Sequence, residues 1–111
     1  PVCCASALAT LEVIEAENLL AGVEEKGRLM ESLLQSPEVT EIRRIGLMFA
    51  LDFESAERVN RIVAYAKNQG VICYWFLSNP FSMRLAPPLT ISETEIRESC
   101  AILSEAIQKT K

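Results

Sequence analysis

The sequence predicts an α+β fold, a mainly antiparallel sheet of about four strands with helices packed on one face. Three observations carry this expectation. Apolar residues recur at spacings of three and four in stretches at both ends and in the middle of the chain, whereas Leu47, Phe49, Leu51 and Phe53 alternate with period two. Glycine and proline stand where the period changes, at Pro37, Gly46, Gly70 and the pair Pro87-Pro88. The chain has 111 residues, half of them hydrophobic and 23% charged, which suits one domain with an ordinary core rather than two domains or a disordered segment.

Val2 to about Glu17 reads as a helix rich in Ala, Leu and Glu, with Ala5, Leu8, Ala9 and Glu12 on a helical repeat and Leu11 and Ile14 widening the apolar stripe. Asn18 is expected to break that helix and to cap a second one. The second helix carries Leu20, Val23, Gly27, Met30 and Leu34 on one face and stops at Ser36-Pro37, because the residue before proline avoids helical backbone. Glycine costs about 1 kcal/mol against alanine inside a helix, so Gly27 is read as a point of close packing. Val39 to Ile45 is β-prone and charged on one side, as in an edge or part-exposed strand. After Gly46, the alternating run from Leu47 to Phe53 is its hairpin partner. Ser55 caps a third helix with the stripe Val59, Ile62, Val63 and Ala66, and Gly70 stops it. A strand is expected over Val71 to Phe76, then a loop at Ser78-Asn79-Pro80 and a last strand over Ser82 to Ala86. Pro87-Pro88 halts that strand, since neither proline donates to a ladder. Ser92 and Glu95 have the capping-box spacing and open a final helix with the stripe Ile96, Cys100, Leu103 and Ile107. Lys109 and Lys111 suit the negative end of its dipole.

Composition excludes several functions. The net charge is -4 with both signs interspersed, and the adjacent Arg43 and Arg44 have no basic neighbours to extend them, so nucleic acid is not an expected partner. No apolar run approaches the roughly 20 residues that cross a bilayer and nothing reads as a signal peptide, which excludes a membrane partner and points to the cytoplasm. The four cysteines form no C-x-x-C pair, so no metal site is expected, and they are read as reduced, buried thiols acting as small hydrophobes. The chain starts at Pro1, which is read as a sign of processing or of a cut from something longer.

The chemistry is marked by what is missing. There is no histidine, so a Ser-His-Asp or Cys-His arrangement is excluded. The glycines Gly22, Gly27, Gly46 and Gly70 are scattered and form no phosphate loop. Glu24 and Glu25 read as a solvated helix face rather than a catalytic pair. Arg84 stands apart, in the apolar stretch Met83-Arg84-Leu85-Ala86-Pro87-Pro88-Leu89. A guanidinium there needs a partner, and its fork matches a carboxylate bidentately, from a ligand or from the protein itself. An arginine on the open face of an edge strand is the plainer reading.

Three stretches in order resemble the C-terminal domain of class III aminotransferases, the ornithine and acetylornithine group. Pro1 to Ile14 is similar to the helix that opens that domain. Arg43-Arg44-Ile45-Gly46-Leu47-Met48 is similar to the family's "R-G-x-G-L-M" pattern, with Arg44 in place of the first glycine. Arg84 to Ile91 resembles its "R-x-x-P-P-L" signature, followed by the capped helix. The resemblance implies that residues 1–111 are the small domain of a fold type I enzyme, with an interdomain helix over about residues 1–17. It implies pyridoxal 5'-phosphate as cofactor, held by a large domain and by the partner subunit of a homodimer, with no catalytic or cofactor-binding residue in this stretch. It implies amino-acid and 2-oxo-acid substrates, and Arg84 as the group that binds the substrate carboxylate. On this reading the 111 residues alone are inactive. The run Cys73-Tyr74-Trp75-Phe76-Leu77 is more aromatic than in common members of the family, and Trp75 and Phe76 are read first as packing residues, with a substrate pocket as the alternative. A related aminomutase or decarboxylase, or a free-standing ligand-binding or regulatory α+β domain, are the competing expectations.

Overall fold

Eight elements follow one another in the computed structural model, which describes every residue from Pro1 to Lys111. They are α1 (Val2–Ala16), α2 (Val23–Leu34), β1 (Glu41–Ile45), β2 (Met48–Asp52), α3 (Ala56–Asn68), β3 (Tyr74–Trp75), β4 (Ser82–Leu85) and α4 (Glu93–Lys109). The strands form one antiparallel sheet in the order β1-β2-β4-β3, so β4 is an inner strand. Side chains alternate across the sheet. Phe49 and Leu51 of β2 and Met83 and Leu85 of β4 are buried on one face, while Arg84 between them is exposed. Onto the buried face pack Met30 and Leu34 of α2, Val59, Ile62 and Ala66 of α3, and Ile96, Cys100, Leu103 and Ile107 of α4. Burying each large aliphatic or aromatic side chain contributes about 1.5–3 kcal/mol, so this single cluster is what holds the two layers together. No helix is long and apolar enough to cross a membrane.

Local chemistry explains the boundaries. In the turn between β1 and β2, Gly46 has φ +56° and Ile45 pairs with Met48, a two-residue connection that needs the glycine at its first position. The helix α2 lies against that turn, and a Cβ on Gly27 would sit 2.5 Å from the Gly46 carbonyl oxygen, so the expected close approach at Gly27 is real. At α4 both bonds of the capping box form between Ser92 and Glu95. Its far end is tied to α3, where Arg58 donates to the Ile107 carbonyl at 3.1 Å and Arg61 to the Thr110 carbonyl at 3.2 Å.

Three expectations need correction. Asn18 does not cap α2; it ends α1 in a left-handed conformation, φ 49°, with its own N–H bonded to the Glu15 carbonyl and that of Leu19 to the Ile14 carbonyl. This is a Schellman closure with Asn in the usual glycine position. Helix α2 therefore begins at Val23, and Leu20 is left exposed in the connecting turn. Strand β3 is far shorter than Val71–Phe76, because Val71 donates to the Ala66 carbonyl to close α3 and is not available to the sheet. The helices α2, α3 and α4 cover one sheet face, as expected, while α1 buries no residue and projects outward, leaving Val2, Leu8, Leu11 and Val13 exposed. For the same reason Cys3 and Cys4 are exposed, whereas Cys73 and Cys100 are buried as expected.

Burial pushes the Cys73 and Cys100 thiols up to about 11, away from the reactive thiolate. In the native chain at pH 8, a disulfide thiol reagent is expected to modify Cys3 and Cys4 and to reach Cys73 and Cys100 only in denaturant. Peptide mass mapping checks this.

Candidate functional site

The face of the sheet opposite the helices carries the site. Arg43, Ala50, Arg84 and Tyr74 are successive Cα partners across all four strands, so their side chains share that face. Neighbouring strands lie about 4.8 Å apart, which separates the Arg43 and Arg84 backbones by about 10 Å with only the methyl of Ala50 between them. Small Ala50 leaves a trough. A groove of about 560 Å³ follows it, lined by Arg43, Arg44 and Arg84 and by Ile45, Met48, Phe49, Ala50, Ile72, Cys73, Tyr74, Phe76 and Ala86. Its volume falls within the range of small-molecule sites.

The three arginines differ in what they already hold. Arg43 donates to Glu41 at 2.7 Å, to Asp52 at 2.8 Å and to the Ser82 hydroxyl at 3.4 Å. Asp52 also accepts from that hydroxyl, to which Asn79 donates at 2.8 Å. Arg44 donates through Nε to Glu31 at 2.6 Å and through both Nη atoms to the two oxygens of Glu24 at 2.9 Å. Arg84 takes part in no ion pair. Its guanidinium instead lies over the rings of Tyr74 and Phe76, 5.9 Å from each centroid. A cation held by aromatic faces keeps its N–H fork free. Among the groove's cations Arg84 alone makes no side-chain hydrogen bond or ion pair within the chain, and no carboxylate lines the groove.

Glu24 is thus not a merely solvated residue, as the sequence had implied. The fork of Arg44 holds its carboxyl down to about 2 from an ordinary 4.5. Partners likewise depress Glu38, Glu95 and Glu105: chiefly Lys111 for Glu38, the Ser92 backbone for Glu95 and Lys109 for Glu105. A carboxyl whose folded pKa is depressed contributes stability above its unfolded pKa, and that contribution is lost as pH falls toward the folded value. The urea midpoint is therefore expected to hold above pH 5 and to drop between about pH 4.5 and 2. In Arg44→Gln that drop shrinks, because Glu24 loses its principal partner and keeps only Arg28 at 3.2 Å. Urea titrations at a series of pH values read the difference.

Other expectations land as follows. Arg84 is on an inner strand, not an edge strand, and has no acidic partner within the chain. Phe76 lines the groove. Trp75 is outside the groove and half exposed on the other side of β3. Tyr74 was noticed only as part of an aromatic run; its place opposite Arg84 depends on the register of β3, which local sequence does not encode.

The residues of this chain do not fit pyridoxal phosphate as its holders. Lys26 bonds the Leu89 carbonyl at 2.9 Å, while Lys109 and Lys111 pair with Glu105 and Glu38. Lys67 sits in the last turn of α3, and no lysine lines the groove. Nor do the glycines gather into a phosphate cradle: Gly27 and Gly46 are pressed against each other and Gly70 closes α3.

Comparison with known proteins identifies the family. The sequence is 36% identical over 115 residues to acetylornithine aminotransferase of Synechocystis, covering 96% of the chain and 26% of that protein. It is 32% identical over 126 residues to a 4-aminobutyrate aminotransferase of Escherichia coli, covering 100% and 29%. It is 34% identical over 122 residues to the (R)-1-hydroxy-2-aminoethylphosphonate ammonia-lyase of Vibrio splendidus, covering 98% and 25%. The chain thus spans little more than a quarter of these relatives. Among solved structures, a Bacillus anthracis aminotransferase superposes with a TM-score of 0.86 at 29% identity, covering 98% of this chain and 28% of that one. The ornithine aminotransferase of Toxoplasma gondii does so with 0.86 at 27% identity, covering 98% and 27%. The family described as aminotransferase class-III matches residues 1–107, and the chain belongs to that family.

Proposed function

We propose that residues 1–111 are the C-terminal small domain of a pyridoxal-phosphate-dependent aminotransferase, and that Arg84 binds the α-carboxylate of its amino-acid and 2-oxo-acid substrates. The observation that carries this is the free fork of Arg84 in a groove that offers it no acidic partner. Arg43 and Arg44 already pair with Glu41, Asp52, Glu24 and Glu31, whose carboxylates offset their charge. A bidentate pair would fix two atoms of the substrate at once, so the rest of the molecule is presented in one orientation.

On this reading the cofactor, which supplies the electron sink for the reaction, is held by the large domain and by the partner subunit of a homodimer. The small domain contributes the clamp and one wall of an interdomain cleft. The apolar side chains Val2, Leu8, Leu11 and Val13 of α1, exposed in this chain, are the interdomain contact in the whole protein. A helix apolar on all sides is stable only when covered, and α1 finds no cover within these residues.

The resemblance to an ammonia-lyase favours a second reading, in which the amine is eliminated rather than transferred. Incubating the full-length protein with a ¹⁵N-labelled amino acid and an unlabelled 2-oxo acid separates them. Amino transfer puts the label in the amino acid formed from the oxo acid. Label recovered as ammonium, with no new amino acid, assigns the protein to elimination instead. Label remaining in the donor, under cofactor saturation and across a panel of donors, returns it to a binding module.

A further inference from the structure

Resting on the reading of Arg84 as a carboxylate clamp, we propose that Tyr74 and Phe76 select the substrate class: a monocarboxylate whose remaining body is apolar. The two rings have two tasks. They position the clamp, and they form the wall against which the substrate side chain lies.

The positioning follows from register. Tyr74 is the direct partner of Arg84 across β3 and β4, and Phe76 is two residues on, so both rings rise from the same face. The Phe76 N–H donates to the Ser82 carbonyl at 3.1 Å, which carries the pairing past the end of β3 and fixes its ring beside the guanidinium. An arginine is usually held still by a carboxylate, which consumes its fork. Here it is held by ring faces, which leave every N–H edge available. Tyr74 and Phe76 therefore act on the substrate carboxylate through Arg84 and are positioning residues in that respect.

Selection follows from what else the groove presents. The charges of Arg43 and Arg44 are met by four carboxylates, so only one cation is left to bind an anion. A second carboxylate on the substrate finds no free partner in this groove. A distal ammonium finds none either, because no acidic side chain lines it. Beside Arg84 the surface is Ile72, Tyr74 and Phe76 on one side, with Met48 and Ile45 on the other, over the floor made by Ala50. A flat apolar group laid in that trough is desolvated on both faces, while its carboxylate reaches the fork.

The test uses the full-length protein and two ligands that lack an amino group and so bind without reacting, 3-phenylpropanoate and glutarate. Calorimetry gives the affinity for each. In the double variant Tyr74→Ser/Phe76→Ser the preference for phenylpropanoate over glutarate is expected to fall about tenfold. The milder Tyr74→Leu/Phe76→Leu keeps an apolar wall and guards against a folding defect; it weakens both ligands and leaves the preference largely intact. Arg84→Leu weakens both ligands alike. If the serine variant leaves the preference unchanged while Arg84→Leu weakens both, the rings are only a packing surface for the rest of the protein. The inference then falls and the clamp stands. If Arg84→Leu changes neither affinity, the clamp reading itself is wrong.

Discussion

With Arg84 as the proposed carboxylate clamp, Arg84→Lys is expected to raise the KM of the full-length protein for an amino-acid substrate by about ten- to a hundredfold, with a smaller fall in kcat. The size follows from hydrogen bonds to a charged group, worth roughly 1.5–3 kcal/mol in total when the partner is left unpaired. Lysine keeps the positive charge, so the loss measures the fork rather than the charge. It also weakens the cation–π contact of residue 84 with the Tyr74 and Phe76 rings, because a compact ammonium replaces the broad guanidinium. A rise in KM with little change in kcat marks binding common to ground and transition states, the signature of a clamp rather than of a proton donor. Steady-state kinetics on the two proteins decide it; equal KM values would remove Arg84 from the site.

Gly27→Val is expected to be the most damaging single change in the scaffold. The new Cβ would lie 2.5 Å from the Gly46 carbonyl oxygen and 2.9 Å from an Nη atom of Arg44. The first neighbour is backbone and cannot rotate away, so α2 must lift from the turn between β1 and β2. Lifting α2 also draws Glu24 and Glu31 off Arg44, since both lie on that helix. Overpacking of this kind costs about 3 kcal/mol at the upper end of its usual range. For a domain of this size that lowers Tm by more than about 10 °C. Gly27→Ala meets the same clash but regains about 1 kcal/mol of helix propensity, so it falls between wild type and valine. Thermal melts of the three proteins give the order. A valine variant as stable as wild type would mean that α2 and the turn do not touch as described.

The parts of the fold that sequence could disclose are those set by neighbours along the chain. The alternation of Leu47, Phe49, Leu51 and Phe53 disclosed the buried face of β2, although Leu47 itself falls in the turn. The Ser92–Glu95 spacing disclosed the start of α4, and a costly glycine inside a helix disclosed the close approach at Gly27. Asn18 was ambiguous because the residues that favour N-caps also tolerate the left-handed conformation that ends helices. The length of β3 was overestimated because Val71 looks like a strand residue but spends its N–H on closing α3.

The site was legible only as a single residue. Arg84 stood out by its apolar neighbours and by its resemblance to a family signature. The features that make it a candidate clamp are tertiary. They are the strand order that places β4 between β2 and β3, the pairing that sets Tyr74 opposite it, and the carboxylates that occupy Arg43 and Arg44. Glu24 is twenty residues from Arg44 in the chain, and no local pattern joins them.

The most direct test of the central claim is a crystal structure of the full-length protein with cofactor and a bound substrate carboxylate. The predicted result is a pair of N–H···O bonds of about 2.7–2.9 Å from the Arg84 fork to the two carboxylate oxygens, with the Tyr74 and Phe76 rings still beside the guanidinium. A structure in which Arg84 is paired with an acidic residue of the large domain, and the substrate carboxylate is held elsewhere, would contradict it.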